Sequence, residues 1–354
     1  MELQKIRVGI TQGDMNGIGP EVTLKTLQEP LILDLCTPVV FSSQKMISQQ
    51  KRAAGLEELN FHLTTDAGQL NPKRPNLLSV YDEEVTVEFG KPSPLAGRYA
   101  LRSIDAAINA LLEGKIDVLV TAPVDKHSIA AELPEFTGHT SYLGKKLGAE
   151  QTLMLLLNDN LRVGLVTEHL PIRDVAQHIT KENIIQKAKL MLKSLLEDFG
   201  IRRPKIAVLG LNPHAGDGGT LGREEQEIIG PAVEQLKSEN LLVFGPYAAD
   251  GFFGSGNYRG FDGILAMYHD QGLAPFKALS FSTGVNFTAG MKYVRTSPDH
   301  GTAYDLAGKN QADERSFRQA IYTAIDIFRR RNKWEEISAD PLKPAPRQKE
   351  GKER

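Results

Sequence analysis

Three short apolar runs of this chain each end in a histidine. The runs span residues 162–169, 205–214 and 262–269, and their last residues are His169, His214 and His269. Because the runs read as buried β-strands, each histidine is expected at the carboxyl end of a strand, where open α/β sheets bind their ligands. Three imidazoles presented there suit a catalytic divalent metal that keeps an open coordination position. The sequence therefore predicts a metal site at this edge of a sheet.

A second group of polar residues lies in the carboxyl-terminal third of the chain. Lys277, Asn286 and Arg295 stand in a stretch that is rich in glycine and proline. An ammonium, an amide and a planar guanidinium together suit a small substrate that bears phosphate and carboxylate groups. Asp250 is a further candidate, as a carboxylate or base beside the metal.

Three loops near predicted strand ends are also candidates for ligand contact. Residues 11–21 are rich in glycine but lack the G-x-G-x-x-G spacing, so they do not predict a Rossmann dinucleotide site. This segment suits a tight strand-to-helix turn as well as a ligand loop. The loops at 121–126 and 137–142 carry hydroxyls and cations, and His139 with Thr140 could donate to phosphate or carboxylate oxygens. Taken alone, each of these two loops is more often an ordinary connection.

The elements that must position these residues alternate between strand-like and helix-like runs. The strand candidates are residues 6–11, 37–41, 116–121, 152–157, 162–167, 205–211 and 262–267. The helix candidates, which repeat apolar residues at three- and four-residue spacing, are 98–113, 182–199 and 314–331. This alternation predicts βαβ units and a mainly parallel sheet, and hence an α/β fold.

Length and composition narrow the class of protein. At 354 residues the chain suits two domains or one large α/β unit, and 41% apolar with 24% charged residues is ordinary for a globular protein. A net charge of −2 provides no basic field for nucleic acid or an anionic membrane. The single cysteine, Cys36, excludes an internal disulfide and fits a structural role in a reducing compartment.

The chain shows no sign of a targeting or membrane segment. A strand begins at Ile6, which leaves no room for a signal peptide, and the longest wholly apolar run, 153–157, is too short to span a bilayer. We therefore expect a cytoplasmic protein that binds neither nucleic acid nor membrane.

Taken together and in order, the motifs resemble the 4-hydroxythreonine-4-phosphate dehydrogenase family of pyridoxal phosphate synthesis. The resemblance extends from about Ile6 to about Phe328. The segments that carry it are GDMNGIGPE (13–21), TAPVDK (121–126), GHTSYL (138–143), EHLPIRDV (168–175), GLNPHAGDGG (210–219), MYHDQGLAPFK (267–277) and RTSPDHGTAYDLAG (295–308).

The resemblance assigns roles to the residues of the site. It implies metal-binding histidines at His169, His214 and His269. It implies substrate contacts at His139, Thr140, Lys277, Asn286 and Arg295. In the family the third histidine completes the site across a dimer interface, so the resemblance also implies a homodimer with an inactive monomer.

The family's fold is similar to that of isocitrate and isopropylmalate dehydrogenases, with two α/β/α domains and the active site in the cleft between them. Applied here, it predicts a first domain of residues 1–123 plus 296–337 and a second domain of residues 124–295. Residues 338–354, rich in proline, lysine and glutamate, are predicted to be a disordered tail.

The resemblance also implies a nicotinamide cofactor. The run 300–308 is similar to the adenosine-binding loop of those relatives, so NAD or NADP could bind without G-x-G-x-x-G. The cofactor residues that this similarity points to are His300, Gly301 and Asp305.

Three positions depart from the family's usual pattern. Met15 and Asn16 stand where the family usually has Pro-Ala, and residues 291–293 stand where it usually has a Leu-Pro turn. Glu168, directly before a metal histidine, stands where Thr is common. These departures bear on fine substrate preference more than on the class of reaction.

The implied reaction is an NAD(P)- and divalent-metal-dependent oxidation. Its substrate is 4-phosphohydroxy-L-threonine, and its product, 2-amino-3-oxo-4-phosphobutanoate, decarboxylates to 3-amino-2-oxopropyl phosphate. The metal is expected to be zinc, magnesium or cobalt, and Asp250 and Lys277 are the expected catalytic groups. Two alternatives remain open. One is a dehydrogenase of a four-carbon sugar-acid phosphate, threonate or erythronate 4-phosphate, and the other is a three-histidine metal hydrolase.

Overall fold

One continuous β-sheet runs through the computed structural model, which describes residues 5–280 and 282–340. Within these residues the strands are β1 (Ile6–Thr11), β2 (Cys36–Ser42), β3 (His62–Thr64), β4 (Asn76–Ser79), β5 (Val118–Val120), β6 (Leu153–Leu157), β7 (Arg162–Leu165), β8 (Ile206–Leu209), β9 (Val243–Tyr247), β10 (Gly263–Ala266), β11 (Val285–Ala289) and β12 (Val294–Pro298). The helices are α1 (Gly19–Gln28), α2 (Leu31–Leu35), α3 (Gln44–Ala54), α4 (Pro94–Leu112), α5 (Lys126–Ala130), α6 (His139–Lys146), α7 (Ile172–His178), α8 (Lys181–Glu197), α9 (Gly230–Ser238), α10 (Ala249–Gly254), α11 (His269–Ser280) and α12 (Arg315–Ser338).

The sheet is mainly parallel, as predicted. Its order is β3-β4-β2-β1-β5-β12-β11-β6-β7-β10-β8-β9. Neighbouring strands are parallel except where β11 pairs with β12 and with β6, and where β6 pairs with β7. These three reversals give the two outer parts of the sheet opposite strand directions. The predicted α/β fold class is confirmed.

The strongest sequence patterns correspond to observed elements. All seven predicted strands are present, with ends within two residues of the predicted ones, and the three predicted helices are α4, α8 and α12. Helix α4 begins four residues earlier than predicted because Ser93 caps it, accepting a hydrogen bond from the Ala96 backbone N–H, and Pro94 opens the first turn. Thr180 caps α8 in the same way.

Five strands were not predicted: β3, β4, β9, β11 and β12. Strand β12 is the instructive case, because its sequence, Val-Arg-Thr-Ser-Pro, reads as a polar loop although all five of its residues are buried. Its place between β5 and β11 in the middle of the sheet removes its side chains from water. Tertiary pairing therefore overrides the local composition here.

Apolar side chains from both outer parts of the sheet and from its middle belong to one buried cluster. Examples are Val8 of β1, Leu155 of β6 and Val208 of β8. The division into domains at residues 123 and 295 remains a prediction. Of the predicted tail, Ser338 is the last residue of α12, and residues 341–354 lie outside the described residues. In the described part of the chain, no helix has both the length and the apolarity to cross a membrane.

Close packing of α4 on α5 predicts a specific cost for one substitution. A Cβ atom on Gly97 would lie 2.1 Å from the Ser128 carbonyl oxygen, so Gly97→Ala must push α5 away from α4. We expect a loss of about 2 kcal/mol in the free energy of unfolding, measured by urea denaturation, despite the better helix propensity of alanine.

Gly251→Ala is the matched control, because Gly251 also lies in a helix and a Cβ there would have no neighbour within 4 Å. We expect this control to gain up to about 1 kcal/mol. Equal effects of the two substitutions would contradict the packing argument.

Candidate active site

Most of the predicted site residues line one cavity of about 620 Å³. It is lined by segments that follow β5, β7 and β10, by β12, by β6 and β11 between them, and by α6 and α11. The predicted residues in its lining are His139, Thr140, His169, His269, Lys277, Asn286, Arg295, His300 and Gly301. The predicted residues outside its lining are His214, Asp250 and Asp305.

Two of the three predicted metal ligands lie close together. His169 follows β7 and His269 follows β10, which are parallel neighbours, and the two ring centroids are 5.8 Å apart. His269 Nδ1 is 2.7 Å from Asp270 Oδ1, an arrangement that orients the ring and leaves Nε2 available. Burial, together with Lys126, lowers the pKa of His169 and favours the neutral imidazole that a metal requires.

The remaining predicted ligand, His214, lies apart from this pair. It follows β8, the parallel neighbour of β10, but it is exposed in a turn that spans Pro213–Gly219. His214, Ala215 and Asp217 all have positive φ angles there, between 42° and 52°. Such backbone is strained for residues with a side chain and is found mostly at functional sites. Among residues 5–280 and 282–340, no three histidine, cysteine or carboxylate side chains are grouped to hold a metal.

Asp250 and Asp305 also lie outside the cavity lining. Asp250 is exposed in α10, which contacts the turn that carries His214. Asp305 is exposed in the 301–308 segment. Within one chain, neither carboxylate therefore lies in the cavity with His169, His269 and Arg295.

Arg295 dominates the electrostatics of the cavity. Its side chain is only 2% exposed, and its Nε and Nη2 atoms donate to Thr121 Oγ1 at 3.1 and 2.6 Å. Burial lowers the pKa of Arg295 to about 9. No carboxylate of the described residues forms an ion pair with it. A buried cation without a counter-charge is costly, and an anionic ligand would supply the missing partner.

Three buried polar atoms of the lining also lack partners within the described residues. They are His139 Nε2, Asn286 Oδ1 and His300 Nε2. Burial, with Arg295 and Lys126 nearby, lowers the pKa of His139 well below its usual range. Because buried polar groups in proteins are nearly always paired, these atoms indicate contacts that a bound ligand would complete.

Four further lining residues received no role from the sequence: Thr121, Lys126, Glu168 and Asp299. Thr121 and Lys126 belong to a loop that the sequence analysis named as a candidate. The role of the Thr121 hydroxyl, which accepts hydrogen bonds from the buried Arg295, could not be recognised without the fold. Lys277 Nζ donates to the Asp299 backbone carbonyl at 3.1 Å, while burial raises the pKa of the Asp299 carboxyl.

The glycine-rich segment 11–21 is a structural turn, one of the two interpretations left open. All of its residues are buried. The Ile18 backbone N–H donates to the Thr302 carbonyl at 2.9 Å, and Tyr304 Oη donates to Asp14 Oδ2 at 2.8 Å. The segment therefore holds the 301–308 loop in place beside the cavity.

Of the three departures from the family's pattern, one reaches the cavity. Met15 and Asn16 are buried, and Asn16 Nδ2 donates to the Lys91 carbonyl at 2.8 Å. Met291 is buried in an apolar cluster. Glu168 alone lies in the lining.

Comparison with known proteins identifies the family of the chain. The model of the family described as pyridoxal phosphate biosynthetic protein PdxA matches residues 34–324. The 4-hydroxythreonine-4-phosphate dehydrogenase of Bacteroides thetaiotaomicron is 53% identical over 344 residues, which cover 97% of this chain and 94% of that protein.

Solved structures with the same description are also similar. The crystal structure from Klebsiella pneumoniae has a TM-score of 0.77 at 31% identity, covering 93% of this chain and 99% of that one. The crystal structure from Burkholderia phymatum has a TM-score of 0.74 at 34% identity, covering 92% and 99%. On the family match, the identity and the shared fold, the chain belongs to the PdxA family of pyridoxal phosphate biosynthetic enzymes.

Proposed function

We propose that this enzyme oxidises 4-phosphohydroxy-L-threonine at C3, with NAD or NADP as hydride acceptor and with a divalent metal. The observation that carries the proposal is the buried, unpaired guanidinium of Arg295 in the same cavity as the His169 and His269 imidazoles. A cation and two imidazoles in one cavity suit a substrate that has both an anionic group and a hydroxyl to be activated.

The chain's own residues bind and orient the substrate. Arg295 and Lys277 neutralise its phosphate and carboxylate, and the donors of His139 and Thr140 complete the anion contacts. The low pKa of His139 keeps its ring neutral, so it offers a hydrogen bond rather than a second charge. Asn286 supplies its unpartnered amide oxygen to a hydroxyl or ammonium of the substrate.

His169 and His269 would hold the metal, since their rings lie side by side with centroids 5.8 Å apart in one cavity. When bound, the metal supplies the Lewis acidity that lowers the pKa of the C3 hydroxyl. Zinc, magnesium or cobalt would serve. The remaining ligand, His214, would come from a second copy in a homodimer, with Asp250 of the same region as its neighbouring carboxylate. A site shared in this way makes the monomer inactive.

The nicotinamide nucleotide would bind along the 300–308 segment, contacted by His300, Gly301 and Asp305. The unpartnered His300 Nε2 supports a ligand there. A nicotinamide held there would supply the acceptor for the hydride from C3, and the hydroxyl proton would be released. The product is a β-keto acid, which loses carbon dioxide readily. The proposal includes a cytoplasmic location, and the single cysteine, the free and buried Cys36, is consistent with it.

The direct test is to follow the absorbance of reduced nicotinamide with 4-phosphohydroxy-L-threonine, with added metal and with chelator. Metal-dependent reduction supports the proposal. Reduction only with threonate or erythronate 4-phosphate moves the enzyme to sugar-acid substrates. Release of phosphate without nicotinamide nucleotide supports the hydrolase alternative instead.

Removal of His214 tests the shared metal site. We expect His214→Ala to lower turnover by at least roughly a hundredfold and to lower metal content, because one of three ligands is lost. Metal can be measured by mass spectrometry of the dialysed protein, and folding by far-ultraviolet circular dichroism.

His178→Ala serves as the control, since His178 is an exposed helix residue outside the cavity lining. Full metal content and turnover in His214→Ala would exclude His214 as a ligand.

Removal of Arg295 should separate function from stability. We expect Arg295→Met to weaken binding of the phosphorylated substrate by roughly a hundredfold or more, while the melting temperature stays unchanged or rises, because an uncompensated buried charge disappears. Calorimetric titration and thermal unfolding measure the two effects.

Arg331→Met is the contrasting variant, because Arg331 forms an ion pair with the buried Asp198. Its removal should cost about 3 kcal/mol of stability. A large loss of stability in Arg295→Met as well would show that Arg295 is chiefly structural.

The lowered pKa of His139 predicts a pH dependence of stability. In the unfolded chain His139 binds a proton near pH 6.5, whereas in the folded chain it does so only at lower pH. The free energy of unfolding is therefore unaffected by this group above pH 6.5 and decreases as the pH falls below it. Between pH 7.5 and pH 5.5, wild type should lose about 1 kcal/mol more stability than His139→Gln. Urea unfolding across this range gives the comparison, and parallel profiles would contradict it.

A further inference from the structure

Two carboxylates line the cavity within the part of the chain that the structure describes, Glu168 and Asp299. Both are unexpected in a cavity that is otherwise suited to anions. Burial raises the pKa of the Asp299 carboxyl, although Lys277 and His300 act in the opposite direction, so this group is shifted toward its neutral form. Glu168 lies in a different part of the lining, next to His169.

The segment that carries Glu168 is held firmly. The backbone N–H and the hydroxyl of Thr167 both donate to the Met267 carbonyl, at 3.1 and 2.7 Å. These bonds tie the end of β7 to the end of β10. The backbone of Glu168 is therefore fixed beside the two cavity histidines.

The Glu168 carboxylate nevertheless retains free hydrogen-bonding capacity. Its nearest cation, Lys187 Nζ, lies 3.7 Å away, beyond hydrogen-bond distance, and both side chains are about one-fifth exposed. Lys187 Nζ donates instead to the Thr152 carbonyl at 2.7 Å. Among residues 5–280 and 282–340, no hydrogen bond is made to the Glu168 carboxylate.

A carboxylate in this position opposes the binding of phosphate and carboxylate groups, because like charges at short range repel. It becomes favourable when it faces a positive group of the ligand. The substrate class of the proposed function carries such a group, an ammonium at C2. Since C2 is bonded to the C3 carbon whose hydroxyl is directed to the histidine pair, the residue next to His169 is well placed to reach it.

We propose that Glu168 is a specificity-determining residue that accepts hydrogen bonds from the C2 ammonium of the substrate. It thereby selects an amino-acid phosphate over the corresponding sugar-acid phosphate, which has a hydroxyl at C2. The inference rests on the proposed function and narrows its substrate class. A C2 hydroxyl can also donate to the carboxylate, so the discrimination comes from the charge of the ammonium, whose hydrogen bond to a carboxylate is roughly twice as strong as a neutral one.

The test compares wild type with Glu168→Gln, which keeps the shape of the side chain and removes its charge. Binding of 4-phosphohydroxy-L-threonine and of threonate 4-phosphate is measured by calorimetric titration of the metal-loaded protein without nicotinamide nucleotide. We expect the variant to weaken binding of the ammonium ligand roughly tenfold to a hundredfold, as for loss of a charged hydrogen bond. Binding of threonate 4-phosphate should change less than about threefold or improve. The kcat/KM values for the two compounds should shift in the same ratio.

Two further variants sharpen the comparison. Glu182→Gln removes an equal charge from an exposed position of α8 and should change neither affinity. Lys187→Gln leaves Glu168 in place without its nearest cation, so preference for the ammonium ligand should increase. This second variant decides the question should Glu168→Gln fail to fold.

The outcomes are distinct. Equal weakening of both ligands, or weakening of neither, overturns the inference. Unchanged affinities with turnover lost on both compounds would also overturn it, because Glu168 would then act in proton transfer. Failure of wild type to oxidise either compound is a failure of the proposed function, whereas the binding ratios still decide the role of Glu168.

Discussion

Strand β12, inserted between β5 and β11, sets the geometry of the sheet and of the cavity. This short polar strand is parallel to β5 and antiparallel to β11, so it joins the two outer parts of the sheet at the point where strand direction begins to reverse. The pairing places Arg295 in the centre of the sheet, where its guanidinium contacts Thr121 at the end of β5. The cavity forms around this contact, with residues from both parts of the sheet in its lining.

The cavity's charges follow from this burial. Arg295 is held by hydroxyl groups rather than by a carboxylate, so its charge remains available to a ligand at a cost to the stability of the free protein. Burial, with Lys126 nearby, disfavours protonation of His139 and His169. Burial thus favours the neutral form of both imidazoles, which agrees with the roles proposed for them, His139 as a hydrogen-bonding group and His169 as a metal ligand. Glu168 and Asp299 are the exceptions in sign among the described lining residues.

Much of the fold was predictable because buried parallel strands have a distinctive composition. The run Ile206–Leu209 of β8, which is parallel to both of its neighbours, is wholly apolar because both faces of such a strand are covered. Strands β3 and β12 were missed for opposite reasons: β3 is short and lies at the sheet's edge, and β12 is polar yet central. Candidate site residues in glycine-rich motifs could be named from the sequence because their side chains are types that bind metals or anions. Thr121 and Asp299 were not, because their importance lies in contacts with residues far away along the chain.

Residue type, periodicity and spacing are local properties, so they were enough to predict the α/β class, the order of most elements and the expected chemistry of the site. They also placed His169, His214 and His269 after strands. The fold was needed to show that β7, β10 and β8 are neighbours in that order, that His169 and His269 share one cavity, and that His214 is exposed outside it. Strand order, burial and charge compensation are set by pairing between distant segments, and no local pattern encodes them.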